Sequence, residues 1–569
     1  MMKFARRARA VYEEAHDPIG IAASLDAIGN AYFHRSEYDN AMDCCEQALR
    51  IYRERDNQAG IASSLWSMGV VHDARGNYDE ALKHHEQALD IWRRIGDRRR
   101  MASTLISMGD VYTSQGSFSE ALDNHVSALK ILREAGDICA SADCLQSIAR
   151  VHMDRGDLTE SLRFAEQSLD IQKEIGSKPG VARSLNTIGN VYWNRGDYEK
   201  ALEYYEQCLT IRRETGDVNG MADSLHNIGI LHANRGEYEE ALRCYLEALK
   251  TQRDIGDRRG MALSLHSTGV LLWCRGDYEE ALKCHEEGLA VKREIGGRKG
   301  MAISLISISS LHIDQGNYQR ALNCLMEALD TQEEIGDNWA KAFTLSELGR
   351  LNQALQNPDG AMDYHRQSLD LMEEMGLKIE KSEVLSGIGL GWHLLGDDEK
   401  AVENLKVALE TALKLGAKEA EPVALEALCE VCLSTGDTQE VRTHCKRLLD
   451  IAEERGLKRY LAVAKRIKGE VVMAEVLSSQ FSVVRWEDAE SELRGAAEIA
   501  EKIGAQPLLW QVHESLARLH EKKGDDKEAS GYIAKAKKII EQIASNITDQ
   551  SLRETYLKSP RLKAVLGAR

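Results

Sequence analysis

Proline and phenylalanine are scarce: there are 6 of each in 569 residues, where ordinary usage would give proline about 5%, or roughly 28 residues. So little proline excludes long loops, linkers and disordered tails as a large share of the chain. No apolar run approaches the roughly 18 residues of a membrane-spanning helix, so a membrane is not an expected partner. The basic start Met1-Met2-Lys3-Phe4-Ala5-Arg6-Arg7 leads into no apolar stretch and does not read as a secretion signal. An excess of positive charge is also missing. The chain has 73 Lys and Arg against 91 Asp and Glu, a formal net charge of −18, which argues against nucleic acid as a partner because phosphate backbones are held by a cationic footprint. The 12 cysteines lack disulfide-scaffold spacing and read as free thiols of a reducing compartment, which points to the cytoplasm.

Glycine, by contrast, is plentiful, with 44 residues in a chain that is 43% hydrophobic and 29% charged. Its placement is periodic. A column of leucines repeats every 40 residues from Leu25 through Leu65, Leu105 and Leu145 to Leu425, without a break. Four residues on stand Gly29, Gly69, Gly109, Gly189, Gly229, Gly269, Gly349 and Gly389, and a second punctuation column runs through Gly76, Gly116, Gly156, Gly196, Gly236, Gly276, Gly316, Gly396 and Gly436. An alanine column (Ala41, Ala81, Ala121, Ala201, Ala241, Ala281, Ala321, Ala361, Ala401) completes the register.

Each unit reads as two helices. Ile61, Leu65, Met68 and Val71 mark one apolar face of the first, which Gly76 ends. Asn77 with Glu80 has the spacing of a capping box for the second. That helix continues through Leu82, Ala88, Leu89 and Ile91 to Gly96, a glycine at the C-terminal stop. Gly69 and Ala81 are small where the two helices must approach.

This pattern resembles the tetratricopeptide repeat (TPR), shown well by Val191-Tyr-Trp-Asn-Arg-Gly-Asp-Tyr-Glu-Lys-Ala-Leu202. The resemblance implies an all-α fold, a right-handed α-α superhelix of about thirteen helix pairs. It departs from the usual repeat of about 34 residues and is similar to the 40-residue type of Pins-type adaptors and of bacterial and archaeal TPR arrays. The expected organisation is a lone or capping helix at 1–17, eleven units over 18–456, two divergent units over 457–545 with an eight-residue insertion near 473–485, and a capping tail at 546–569. The lone helix is either a cap or a sign that the chain is cut from something longer. The tail resembles the end of TPR arrays in large bacterial signalling proteins.

No catalytic constellation emerges, and an enzyme is not expected. Cys429 and Cys432 form a lone C-x-x-C without a second pair, on packing columns. His72, His152, His232 and His312, with His85, His125, His285 and His365, fall where the repeat carries aromatics and read as core imidazoles rather than metal ligands. Gly387-Ile-Gly389-Leu-Gly391 lies inside a helix with no strand before it and is not a dinucleotide loop. No cofactor or metal is implied.

The resemblance places the first helices on a concave groove that holds a peptide. By register the groove positions are Arg183, Asn186, Asn190, Trp193 and Asn194 in the fifth unit and Asp223, His226, Asn227, Ile230 and Asn234 in the sixth. An asparagine ladder at such places resembles that of kinesin light chains and bacterial peptide-sensing regulators. An amide offers both donor and acceptor and so can clamp an extended backbone. The positions needed for a carboxylate clamp hold Leu263 and Ser267, so capture of a chaperone tail is not expected. The lining includes Asp26, Asp73, Asp110, Asp143, Asp154, Asp223, Asp314, Glu383, Glu426 and Glu430 against Arg150, Arg183 and Arg350, which favours a basic segment. An apolar stretch, Ile230, Leu263, Val270, Trp273, Ile303, Ile306 and Ile313, either receives an amphipathic partner helix or is covered by the array's own neighbouring turn. The function implied is a protein- or peptide-binding scaffold or adaptor. The alternative is the regulatory array of a signalling ATPase, kinase or cyclase.

Overall fold

A computed structural model describes residues 2–35, 37–377, 381–415, 417–478 and 485–567. Among them are twenty-nine helices and no strand. A single helix, Met2–Glu14, precedes thirteen consecutive pairs running from Pro18–Phe33 with Tyr38–Glu54 to Gln506–Lys523 with Asp526–Ser545, and Gln550–Lys558 and Pro560–Leu566 follow. Contacts divide the chain into two compact units, Met1–Ser267 with Ala290–Arg298, and Thr268–Leu289 with Lys299–Arg569.

The local chemistry that produces the pairs repeats from joint to joint. Gly96 ends the helix Tyr78–Ile95 in the left-handed region (φ +81°), and Asp97 then caps Arg98–Gln115 by accepting from the Arg100 amide at 3.0 Å. Asp137, Asp217 and Asp337 make the same cap, and Asn57 and Ser177 substitute for them. The capping box read at Asn77 does not form. Asn77 makes no side-chain cap bond, and Glu80 instead turns to the Lys83 ammonium at 3.2 Å, an ion pair three residues along the same helix.

Within a pair, the glycine column is where a ring from the second helix lies on the first. A Cβ on Gly69 would meet the His85 ring at 2.6 Å, and one on Gly109, Gly189 or Gly349 would meet His125, Tyr205 or His365 as closely. These imidazoles are core groups, but the ring nitrogens of His85, His125 and His365 find no hydrogen-bond partner among the described residues. Burial accordingly pushes each down to about 4, so the neutral form is the one packed. One position along, His152 stacks on Phe164 at 5.4 Å where Tyr192 stacks on Tyr204 at 5.5 Å, so histidine does stand in for an aromatic.

In the first unit the leucines 25, 65, 105, 145, 185 and 225 are all buried, and successive core clusters each join one pair to the next. The helix Met2–Glu14 packs Ala5 against Leu25 and Ile28, and Tyr12 sits on Gly20 as Tyr52 sits on Gly60. In the second unit one larger cluster joins Ile313, Tyr318 and Leu345 to Trp510, Ile543, Tyr556 and Leu562. The inserted residues extend the helix Lys458–Ser478 to 21 residues, and 479–484 lie outside the described residues.

Replacing Gly69 by Leu drives a branched side chain into the His85 ring. A loss of about 3 kcal/mol or more is expected, at the upper end for overpacking. It is measured by thermal unfolding followed by circular dichroism, with Ala81 untouched.

Candidate peptide-binding face

Successive first helices touch one another within each unit. Because one pair maps onto the next by 40 residues, side chains that meet across these helices lie about 40 apart in sequence. In the first unit Ser64 donates to Asp26 Oδ1 at 3.1 Å, Trp66 Nε1 to Ser107 at 3.0 Å, Gln146 to Ser184 at 2.6 Å, and Arg183 pairs with Asp143 at 2.6 Å. Arg150 pairs with Asp110 in the same way.

The asparagines of the fifth and sixth pairs belong to this lattice. Asn227 Nδ2 donates to Asn186 Oδ1 at 2.9 Å, linking Lys178–Asn194 to Val218–Asn234. Tyr205 OH donates to Asn190 Oδ1 at 2.7 Å, which fixes that amide with its NH2 group outward, and Asn194 donates to the Asn190 carbonyl at 2.9 Å. Trp193 is half-buried, its Nε1 enclosed and without a hydrogen-bond partner among the described residues, and Asn234 is half-buried at its helix end. Arg183 and Asp223 are exposed. His226 lies inside the array instead: it is buried, with its ring 5.3 Å from Tyr245, and burial pushes it down to about 4.

The carboxylates of the first unit's inner face are poorly neutralised. Asp26, Asp73, Asp154 and Asp223 form no ion pair among the described residues. Loss of hydration raises all four, Asp26 and Asp73 to about 6, and in Asp73 the neighbouring charge of Asp110 adds to the effect. Asp154 and Asp223 retain open side-chain surface, so the surrounding helices thin their hydration without covering them.

The second unit is different. Asp314 accepts from Trp273 Nε1 at 2.8 Å and from Tyr278 OH at 3.3 Å, with Arg350 and Arg459 each 3.9 Å away. Arg459 takes Glu426 through two bonds of 2.7 and 2.9 Å. Arg466, fully buried, pairs with Glu430 and with Glu470 at 3.1 Å, and Glu470 also accepts from Ser515 and Arg518. The acidic lining expected at Asp314, Glu426 and Glu430 is therefore matched by Arg459 and Arg466, which the sequence reading did not place there. Both stand on first-helix columns, Arg466 on that of Asn186 and His226, so the register held the signal.

The residues read as an apolar stretch have separate fates. In the first unit Ile230 is half-buried and Leu263 is half exposed. In the second, Val270, Ile303 and Ile306 are half-buried, Trp273 is held by Asp314, and Ile313 is a core residue beneath Trp510 and Ile543. At Ile313 the unit's own later helices supply the cover. Cys429 and Cys432 are buried, and burial raises both thiols. Among the described residues no group of three or more His, Cys, Asp or Glu stands as a metal site, and no helix is long and apolar enough to cross a membrane.

Two family descriptions match: "MalT-like TPR region" over residues 28–216, and "Tetratricopeptide repeat" over 220–294 and 300–374. No curated protein matches. Among solved structures, BtubC (BKLC) from P. vanneervenii is 19% identical with a TM-score of 0.33, covering 39% of this chain and 91% of its own. The apo form of RapI is 18% identical with a TM-score of 0.39, covering 48% and 98%. A Rap protein complexed with competence and sporulation factor is 16% identical with a TM-score of 0.39, covering 70% and 98%.

Arg466→Met leaves Glu430 and Glu470 charged without their buried partner. A loss of about 3–5 kcal/mol is expected, as for breaking one side of a buried pair. The double variant Arg466→Met/Glu470→Gln recovers part of it in the same thermal unfolding measurement.

Proposed function

Because the chain belongs to the tetratricopeptide repeat proteins, a family of protein-interaction scaffolds and regulators, we propose that the inner face of its first unit holds an extended, basic peptide segment of a partner. The observation that carries this reading is that four carboxylates on the first helices of this unit, Asp26, Asp73, Asp154 and Asp223, form no ion pair among the described residues, on the same series of helices that carries the amides of Asn186, Asn190 and Asn227. A lysine or arginine of the partner supplies the charge these carboxylates lack. Asn190 offers its NH2 to a backbone carbonyl while Tyr205 occupies its oxygen, and the half-buried Trp193 offers part of a flat apolar surface. Arg183 orients Asp143, and Asn194 and Asn234 extend the polar rim. The second unit, whose arginines already meet its carboxylates, is the weaker candidate for a basic partner.

The test is a fluorescence-anisotropy titration with a labelled Lys-Ser-Lys-Gly repeat peptide, against a control carrying Glu in place of Lys. Asn186→Ala/Asn190→Ala/Asn227→Ala should weaken binding at least tenfold, about 1.4 kcal/mol. Equal affinity of wild type and triple variant would discard the asparagine ladder, and equal affinity for the Glu control would discard the charge argument.

Binding should also depend on pH with a definite sign. Asp26 and Asp73 are raised from the ordinary 3.8 to about 6, so they lose charge as pH falls through 6. Affinity for the basic peptide should drop between pH 7 and 5, and added salt should weaken it at pH 7. The same shifts mean that these two carboxylates cost the free protein stability above pH 6, a cost that disappears as pH falls toward 3.8. Asp73→Asn should therefore raise the melting temperature at pH 7 while lowering peptide affinity.

A further inference from the structure

The joints between pairs in the first unit carry an apolar ridge with no role in the inner face. From the joint after the second pair onward, each presents one branched aliphatic side chain in turn: Ile95, Ile138, Ile175, Val218 and Ile255, between 40% and 59% exposed. Single exposed apolar residues are ordinary, whereas one at every successive joint along one edge forms a continuous strip.

Further along the chain the same edge is covered, and what covers it is visible. Ile295, in the register of Ile95, Ile175 and Ile255, is 9% exposed and packs with Tyr38 and Val71, beside the turns inside the first and second pairs. In the second unit Ile503 is 6% exposed and lies against Gly276, and Ile543 is 3% exposed and lies against Gly316. Lys458, at a joint, pairs with Asp277 at that turn. In both units a joint aliphatic side chain of a later pair packs beside the turn inside an earlier pair, and in the second unit it sits on the turn glycine itself, with a lysine at the joint meeting an aspartate at the turn.

We propose that the exposed joint edge of the first unit seats on the free turn edge of the second unit of another copy of this chain, repeating between molecules the contact that the second unit makes within itself. Both halves are present. On the second unit, Gly396, Gly436 and Gly524 have nothing packed on them, and each is followed by an aspartate, Asp397, Asp437 or Asp525. On the first unit, Arg98 and Lys178 occupy the place of Lys458 in the repeat, where they pair with Glu134 and Glu214 at 3.4 and 3.0 Å while still exposing 62% and 63% of their side chains to a partner's aspartate. The two edges are therefore complementary in charge as well as in shape. Because they are different surfaces, the contact is heterologous and adds copies head to tail rather than closing a two-fold dimer.

Sedimentation velocity of the full chain over a concentration series at low salt tests this. The wild type should exceed the mass of one chain progressively as concentration rises. Ile138→Glu/Ile175→Glu/Val218→Glu should remain at one-chain mass with an unchanged helical circular-dichroism spectrum, since all three sites are exposed. Lys178→Glu or Asp437→Lys alone should weaken association at least tenfold, and the double variant should recover part of it. One-chain mass for the wild type at every concentration, or association untouched by the triple variant, would overturn the proposal.

Discussion

The structure depends on one close approach, a side chain from the second helix of a pair packed onto a small residue of the first, most often a ring on a glycine. Between Gly69 and His85, or Gly189 and Tyr205, there is no room for a Cβ. That contact sets the spacing of the two helices, and so the direction in which the next pair starts. The left-handed glycine and the aspartate cap at each joint then fix the return. Within each unit, a translation of 40 residues in sequence carries one pair onto the next, and columns of side chains acquire fixed addresses.

Two kinds of surface follow from those addresses. First helices touch their neighbours, so their outward positions form rows in which Asn227 reaches Asn186 and Arg183 reaches Asp143. Whether a row is open or self-satisfied depends on what the adjoining columns carry. In the second unit, arginines at 459 and 466 turn acidic rows into a buried ionic lattice around Asp314, Glu426 and Glu470. Such a lattice costs desolvation and stabilises chiefly by leaving no charge unpaired. In the first unit Arg150, Arg212 and Arg259 act on Asp73, Asp154 or Asp223 from a distance but form no ion pair with them among the described residues, and the remaining burden of thinly hydrated charge is left for a ligand to relieve.

Much of this was legible in the sequence, because a solenoid writes its geometry as a period. The Leu25–Leu425 column and the two glycine columns gave the helix boundaries, the pairing and the row assignments, and Tyr12 on Gly20 follows from its alignment with Tyr52 on Gly60. What was not legible depends on contacts that a period does not encode. The covering of Ile313 by Trp510 and Ile543 joins parts of one unit far apart in sequence. His226 was assigned outward by its column but turns in, because Tyr245 offers it a ring to pack on. Glu80 prefers a nearby lysine to the cap at Asn77. Arg459 and Arg466 stand on first-helix columns, but the divergent twelfth unit lacks the repeat's polar signature, which hides their place in the row.

If the first helices of the first unit form an open, acidic peptide site, while those of the second are already occupied by their own charges, a basic peptide should protect only the former. Hydrogen–deuterium exchange of the full chain, with and without a bound Lys-rich peptide, addresses it most directly. The account predicts added protection in the first-helix segments of the first unit, above all Lys178–Asn194 and Val218–Asn234, and none in Asn338–Ala354 or Lys458–Ser478. Protection confined to the second unit, or spread over the outer second helices, would contradict it.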